Sequence, residues 1–180
     1  SAWASRRAGS MVRTTTVRPY SAARSAIAAA VVVLPTPPLP QHTMTLPAYR
    51  MACVPVTNEQ YLAFVQATGH EPPRRWSGGQ LPEGKEQHPV VYVSFRDAVA
   101  FCEWASRVTG ATVRLPSEAE WEKAARGTDG RIYPWGDDKP TNELCNFGDS
   151  VGDTTPVGAF PKGVSPFGVL DMAGNIWEWT

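Results

Sequence analysis

What this 180-residue sequence has little of narrows it first. It contains three cysteines and three histidines. Cys53, Cys102 and Cys145 lie far apart, match neither a zinc ribbon nor a CxxC redox motif, and cannot all pair. A disulfide scaffold is therefore not expected, and the redox compartment stays open. His42, His70 and His88 are too dispersed for an HExxH site or any other local metal motif. No apolar run reaches the roughly 18 residues that a membrane-spanning helix needs. Charged residues make up only 19 % of the chain, and the formal net charge is zero. That zero joins two unlike parts. Residues 1–43 carry five arginines and no acid, whereas the remainder carries twelve basic and seventeen acidic residues. A weakly acidic globular part offers no footprint for nucleic acid. What is present is a 42 % apolar chain with seven Trp, 17 Pro and 15 Gly. That is enough for a core, and it points to a loop-rich domain rather than a helical bundle.

Residues 1–39 differ from the rest. Residues 1–40 run in blocks of Ser, Ala, Arg, Thr, Val and Pro that close with Leu34-Pro-Thr-Pro-Pro-Leu-Pro40. The apolar run Ala26–Leu34 after scattered arginines suggests a targeting leader. However, no small-residue cleavage site follows, and Arg6-Arg7 is too distant for a twin-arginine signal. The segment is read as disordered, a leader, or sequence from another reading frame. It is set outside the fold, and its removal is expected to leave melting unchanged. Without a signal peptide the compartment is unknown, with the cytoplasm slightly favoured.

Residues 40–180 alternate short elements. Met44–Val54 reads as an opening strand. Thr57-Asn58-Glu59-Gln60 forms a capping box for a helix over 58–68 that Gly69 stops. Val90–Val93 reads as a short buried strand. Ser94 and Asp97 open a second helix whose stripe is Ala98, Phe101, Cys102, Ala105 and Val108, closed by Gly110. Cys102 on that stripe reads as a small core hydrophobe. Ala111–Leu115 is another strand. Ser117 and Glu120 then cap a third helix over 118–126 that buries Trp121, Ala124 and Ala125. Glu118 and Glu120 read as caps rather than acid–base catalysts. Gly127–Asn175 holds nine Gly and five Pro with aromatics between them, a long loop folded back onto a core. Ile176–Trp179 resumes as a strand.

Several phrases stand in register along this part. They are Pro55-Val-Thr-Asn-Glu-Gln-Tyr61, His88-Pro-Val90, Val93-Ser-Phe-Arg-Asp-Ala98, Arg114-Leu-Pro-Ser-Glu-Ala-Glu-Trp121 and Ala124-Ala-Arg-Gly127. Tyr133-Pro-Trp-Gly136, Thr155-Pro-Val-Gly158, Ser165-Pro-Phe-Gly168 and Asp171-Met-Ala-Gly-Asn-Ile-Trp-Glu-Trp179 follow. In this order they closely resemble the formylglycine-generating enzyme (sulfatase-modifying factor) family. The resemblance implies an irregular α+β, C-type-lectin-like fold over residues 40–180, incomplete at the C-terminus. The family's two reactive cysteines lie beyond its Trp-Glu-Trp strand. No catalytic residue is therefore named here, copper is expected only in that later half, and the chain by itself is expected to be inactive and marginally stable.

Calcium is the ligand chemistry that the visible residues support, because a hard cation takes carboxylate and carbonyl oxygens. In an extended segment Gly174, Ile176 and Glu178 fall on one side, with Asp171 reaching in from the turn before. The resemblance implies the same four as ligands. A second set would use Asn146, the Phe147 carbonyl, Asp149 and the Val151 carbonyl, with Asp153 as a rival to Asp149. The alternative for that set is Asx turns and loop caps. The resemblance also places Trp177 near the reaction pocket, as a substrate-binding residue. Arg114 and Arg126 are expected to pair structurally with Glu118, Glu122 or Asp171. Three functions remain open. One is an oxygen- and copper-dependent oxidase that converts a cysteine of a sulfatase or another protein or peptide client to formylglycine. Another is a non-catalytic lectin-like ligand-binding module. The last is the partner domain of an iron-dependent sulfoxide synthase.

Overall fold

The computed structural model describes residues 31–33, 46–148 and 150–180. Its elements are β1 (Val31–Val33), β2 (Tyr49–Arg50), α1 (Asn58–Thr68), α2 (Phe95–Thr109), β3 (Val113–Arg114) and α3 (Glu118–Arg126), with 3-10 turns at Ser77–Gly79 and Pro161–Gly163. The described residues are thus mixed helix and sheet, and sparse in both.

The three α-helices among the described residues begin as their sequences require. Thr57, Ser94 and Ser117 each accept from the backbone three residues on, and Gln60, Asp97 and Glu120 each reach back to the cap amide. Each such cap contributes about 1 kcal/mol. Gly69 and Gly110 end α1 and α2 in the left-handed region, at φ 70° in both cases, where a side chain would be strained. The main core lies between α1 and α2. There the Tyr61 and Phe101 rings stack with centroids 5.9 Å apart, and Phe64 meets Phe101 edge-on at 5.6 Å. Trp76, Trp104, Cys102 and Val113 complete it. Burial raises the Cys102 thiol to about 11, in keeping with a core role. A smaller cluster of Ala124, Ala125, Val169 and Met172 seats α3 on the loop region.

The strands depart from expectation. Three residues of the stretch set apart as leader, Val31–Val33, form the middle of the sheet; the rest of 1–39 lies outside the described residues. β1 runs antiparallel to both neighbours, with Val32 opposite Arg50 on one side and Val113 on the other. A run of valines suits a central strand. Of the expected strand Met44–Val54, residues 44–45 lie outside the described ones and the remainder is a strand only at Tyr49–Arg50; Ala111–Leu115 shrinks to Val113–Arg114. Val90–Val93 is not a strand. Pro89 has no amide to donate, and Tyr92 sits at φ 60°, held by Arg75, whose guanidinium lies 4.6 Å over the ring and donates to the phenol at 2.9 Å.

One ion pair ties these pieces together. Glu120, buried at the start of α3, accepts from Arg114 of β3 through both oxygens at 2.7 and 2.6 Å, and from the Ser117 amide at 2.8 Å. Its own carbonyl accepts from the Tyr49 hydroxyl of β2 at 2.8 Å. The expected partners of Arg114 were Glu118, Glu122 or Asp171; it takes Glu120 because the capping box already turns that carboxylate inward. Arg126 pairs with Glu122, as expected.

Two outcomes follow. Arg114 and the Ser117 cap hold the Glu120 carboxyl down to about 2. Its folded value lies below its unfolded one, so its contribution is present above the ordinary carboxylate range and is lost as pH falls toward 2. After allowance for the half-exposed Arg114, that contribution is about 2 kcal/mol. Arg114→Met should therefore lower stability by about that much at neutral pH and flatten the acid limb of a pH–stability curve. Separately, deleting residues 1–33 should lower the melting temperature relative to deleting 1–30, because only the former removes β1.

Candidate functional site

A cleft of about 530 Å³ opens between the start of α3 and residues 171–180, walled in part by Glu118, Trp121, Glu122, Asp171, Trp177 and Glu178. An apolar cleft of about 150 Å³ adjoins it and shares Met172, Ile176, Trp177 and Glu178. α3 is the common scaffold. Its cap fixes Glu120 inward, and the next residue, Trp121, turns across the cleft and donates its indole N–H to Glu178 Oε2 at 2.8 Å. Trp121 was expected to be buried. It is half-buried because it makes this reach.

The expected calcium set is brought to one wall, but not as an extended row. Asp171 is buried at φ 58°, and its Oδ2 accepts from the Gly158 amide at 2.6 Å. Asn175 takes φ 62°, and the Ile176 amide turns back to the Gly174 carbonyl at 2.8 Å. This tight turn replaces the start of the expected Ile176–Trp179 strand, which does not form. Gly174 is required here. It has φ 87°, and a Cβ would collide with the Asn146 carbonyl. Desolvation pushes both the Asp171 and the Glu178 carboxyl up, and the Asp171 charge pushes Glu178 further, against the Trp121 hydrogen bond. No cationic side chain contributes to either shift. A buried and a half-buried carboxylate without a compensating positive charge, on one cleft wall, are donors of the kind a hard divalent cation takes.

The second set is placed differently. Asn146 serves the seam between loops: its carbonyl accepts from the Asn175 amide at 2.9 Å, and its amide group donates to the Asp153 carbonyl at 2.8 Å. The Phe147 carbonyl accepts from Ser150 and closes a turn. The Val151 side chain is exposed, and Asp149 lies outside the described residues. Trp177 is fully exposed at the mouth of both clefts.

Two residues of this region were not legible beforehand. Asn175 stitches the wall together, accepting from the Thr155 amide at 2.9 Å and donating to its carbonyl at 3.2 Å. Its signal was an Asn directly after Gly, the pair best able to adopt left-handed backbone. Trp121 gave no signal, because a tryptophan on the apolar stripe of a helix reads as core.

The thiols are not poised for chemistry. Burial raises Cys53, Cys102 and Cys145 alike, which favours the thiol over the nucleophilic or metal-binding thiolate. No helix among the described residues is long and apolar enough to cross a membrane.

The raised carboxylates set a pH dependence. The folded state holds their protons more tightly than the unfolded one, so stability is fullest below the ordinary carboxylate range and falls as pH rises through the raised values. With divalent cations chelated, Glu178→Gln should reduce that fall and make the chain more stable than the unaltered protein at neutral pH in chemical denaturation.

Residues 7–180 match the family described as "Sulfatase-modifying factor enzyme 1-like domain". The chain is 33 % identical to a hercynine oxygenase of Mycolicibacterium smegmatis, over 78 % of this chain and 39 % of that protein. It is 35 % identical to a formylglycine-generating enzyme of Mycobacterium tuberculosis, over 78 % of this chain and 66 % of that one. It is 38 % identical to the serine/threonine-protein kinase Pkn1 of Chlamydia trachomatis, over 78 % of this chain and 24 % of that one. Among solved structures it resembles PvdO from Pseudomonas aeruginosa, with TM-score 0.62, 28 % identity, and coverage of 83 % of this chain and 65 % of that one. The chain thus spans about two fifths of the length of the hercynine oxygenases it matches. With the phrases from Pro55 to Trp179 built into capped helices and a loop-walled cleft, the chain belongs to the sulfatase-modifying factor, or formylglycine-generating enzyme, family.

Proposed function

We propose that this chain is the cleft-forming part of an oxidoreductase of the formylglycine-generating type, one that uses oxygen and copper to convert a cysteine of a sulfatase-like client to formylglycine. The observation that carries the reading is the fully exposed Trp177 at the junction of the two clefts. A bare indole beside an apolar cleft suits a peptide side chain. The relatives named formylglycine-generating enzyme and hercynine oxygenase support oxidation as the reaction class. The roles assigned to this chain's residues are binding and positioning. No redox role is assigned to Cys53, Cys102 or Cys145, whose thiols burial raises. The layout proposed for the whole domain is C-type-lectin-like. A structural calcium ion is proposed at Asp171, Gly174, Ile176 and Glu178, where it would neutralise the carboxylates and fix the cleft wall.

A second reading is a non-catalytic ligand-binding module of the same fold. It is favoured by those unactivated thiols and by the similarity to a protein named as a kinase.

The two readings separate in one experiment. The product of the whole gene is incubated with copper, oxygen and a cysteine-containing sulfatase peptide, and aldehyde is detected by hydrazide labelling. The oxidase reading expects aldehyde, and expects Trp177→Ala to raise KM at least tenfold. Peptide binding without aldehyde supports the module, and neither binding nor aldehyde overturns both.

A further inference from the structure

We propose that Trp121 is a positioning residue for Glu178: its indole N–H selects one rotamer of the carboxylate and so presents the free oxygen to a divalent cation in the cleft. This rests on the calcium reading of Asp171 and Glu178. Three observations carry it. The donor sits 2.8 Å from Oε2, so Oε2 is the oxygen the protein engages and Oε1 is the one left to a ligand. The donor is anchored independently of the cleft, because the preceding residue, Glu120, is locked by Arg114 and the Ser117 cap. Asp171 is held in the same manner by the Gly158 amide, so each carboxylate has one oxygen engaged by the protein. A hydrogen-bond donor on a ligating carboxylate fixes its orientation before the metal arrives.

The alternative is that the Trp121 indole only fills space beside Ala124, Ala125 and Met172. Direct-excitation europium luminescence on the product of the whole gene distinguishes the two, since it depends on no tryptophan sensitisation. Loss of such a second-sphere contact typically weakens metal affinity by about tenfold or more. Trp121→Phe, which keeps an aromatic ring and drops the donor, should show that loss and a shorter lifetime in light water from an additional bound water. Trp121→His, which restores a ring N–H, should recover much of the affinity. Equal affinity and lifetime in Trp121→Phe, or no recovery in Trp121→His, overturns the proposal and leaves the calcium reading intact. No europium binding by the unaltered chain overturns both. Should Trp121→Phe fail to fold, hydrogen exchange of the Trp121 indole in the unaltered chain decides the matter. Slower exchange on metal binding supports the positioning role, and unchanged exchange contradicts it.

Discussion

The buried carboxylate of Glu120 is the constraint on which the rest of this structure depends. It completes the cap of α3, takes both forks of Arg114 on β3, and its backbone carbonyl receives Tyr49 of β2. Two strands of two residues each could not hold a helix by ladder hydrogen bonds alone. A charged group with every oxygen engaged does so, and the cost of leaving it unpaired makes the arrangement selective. Because α3 is fixed in this way, the next side chain along it, Trp121, has a defined reach to Glu178.

From there the functional wall is made of turns rather than sheet. Asp171 and Asn175 both adopt left-handed backbone, at φ 58° and 62°, and Gly174 between them has no room for a side chain. Strain of this kind persists only where surrounding contacts over-determine it. Here those contacts are the exchange between Asn175 and Thr155, the Asn146 carbonyl, and the Gly158 amide on Asp171. The result places two mutually repelling carboxylates on one wall beside an exposed indole. That wall is costly to the protein alone, and the cation proposed there would offset the cost.

The helices were legible because their signals are local. A Thr or Ser with Gln, Asp or Glu three residues on, and a Gly at the far end, fixes each boundary through hydrogen bonds that the segment makes with itself. The strands were not. β1 draws its partners from residues 49–50 and 113–114, and nothing within Val31–Val33 names them. Val90–Val93 and Ile176–Trp179 have the composition of strands, but Tyr92 and Asn175 turn the backbone out of the extended region. At the site, the residue identities on the wall were readable and their period-two geometry was not. The Trp121–Glu178 contact spans 57 residues and depends on how α3 is docked, which no local pattern encodes.

The central claim is that the Asp171–Glu178 wall is a divalent-cation site whose occupation stabilises the fold. Thermal unfolding of the product of the whole gene at neutral pH, in calcium and then in chelator, tests it most directly. A ligand that binds only the folded state contributes about 2.7 kcal/mol at a hundredfold excess over its dissociation constant. The account predicts an upward shift in Tm with calcium that Glu178→Gln largely abolishes. An equal shift in both proteins, or no shift in either, would contradict it.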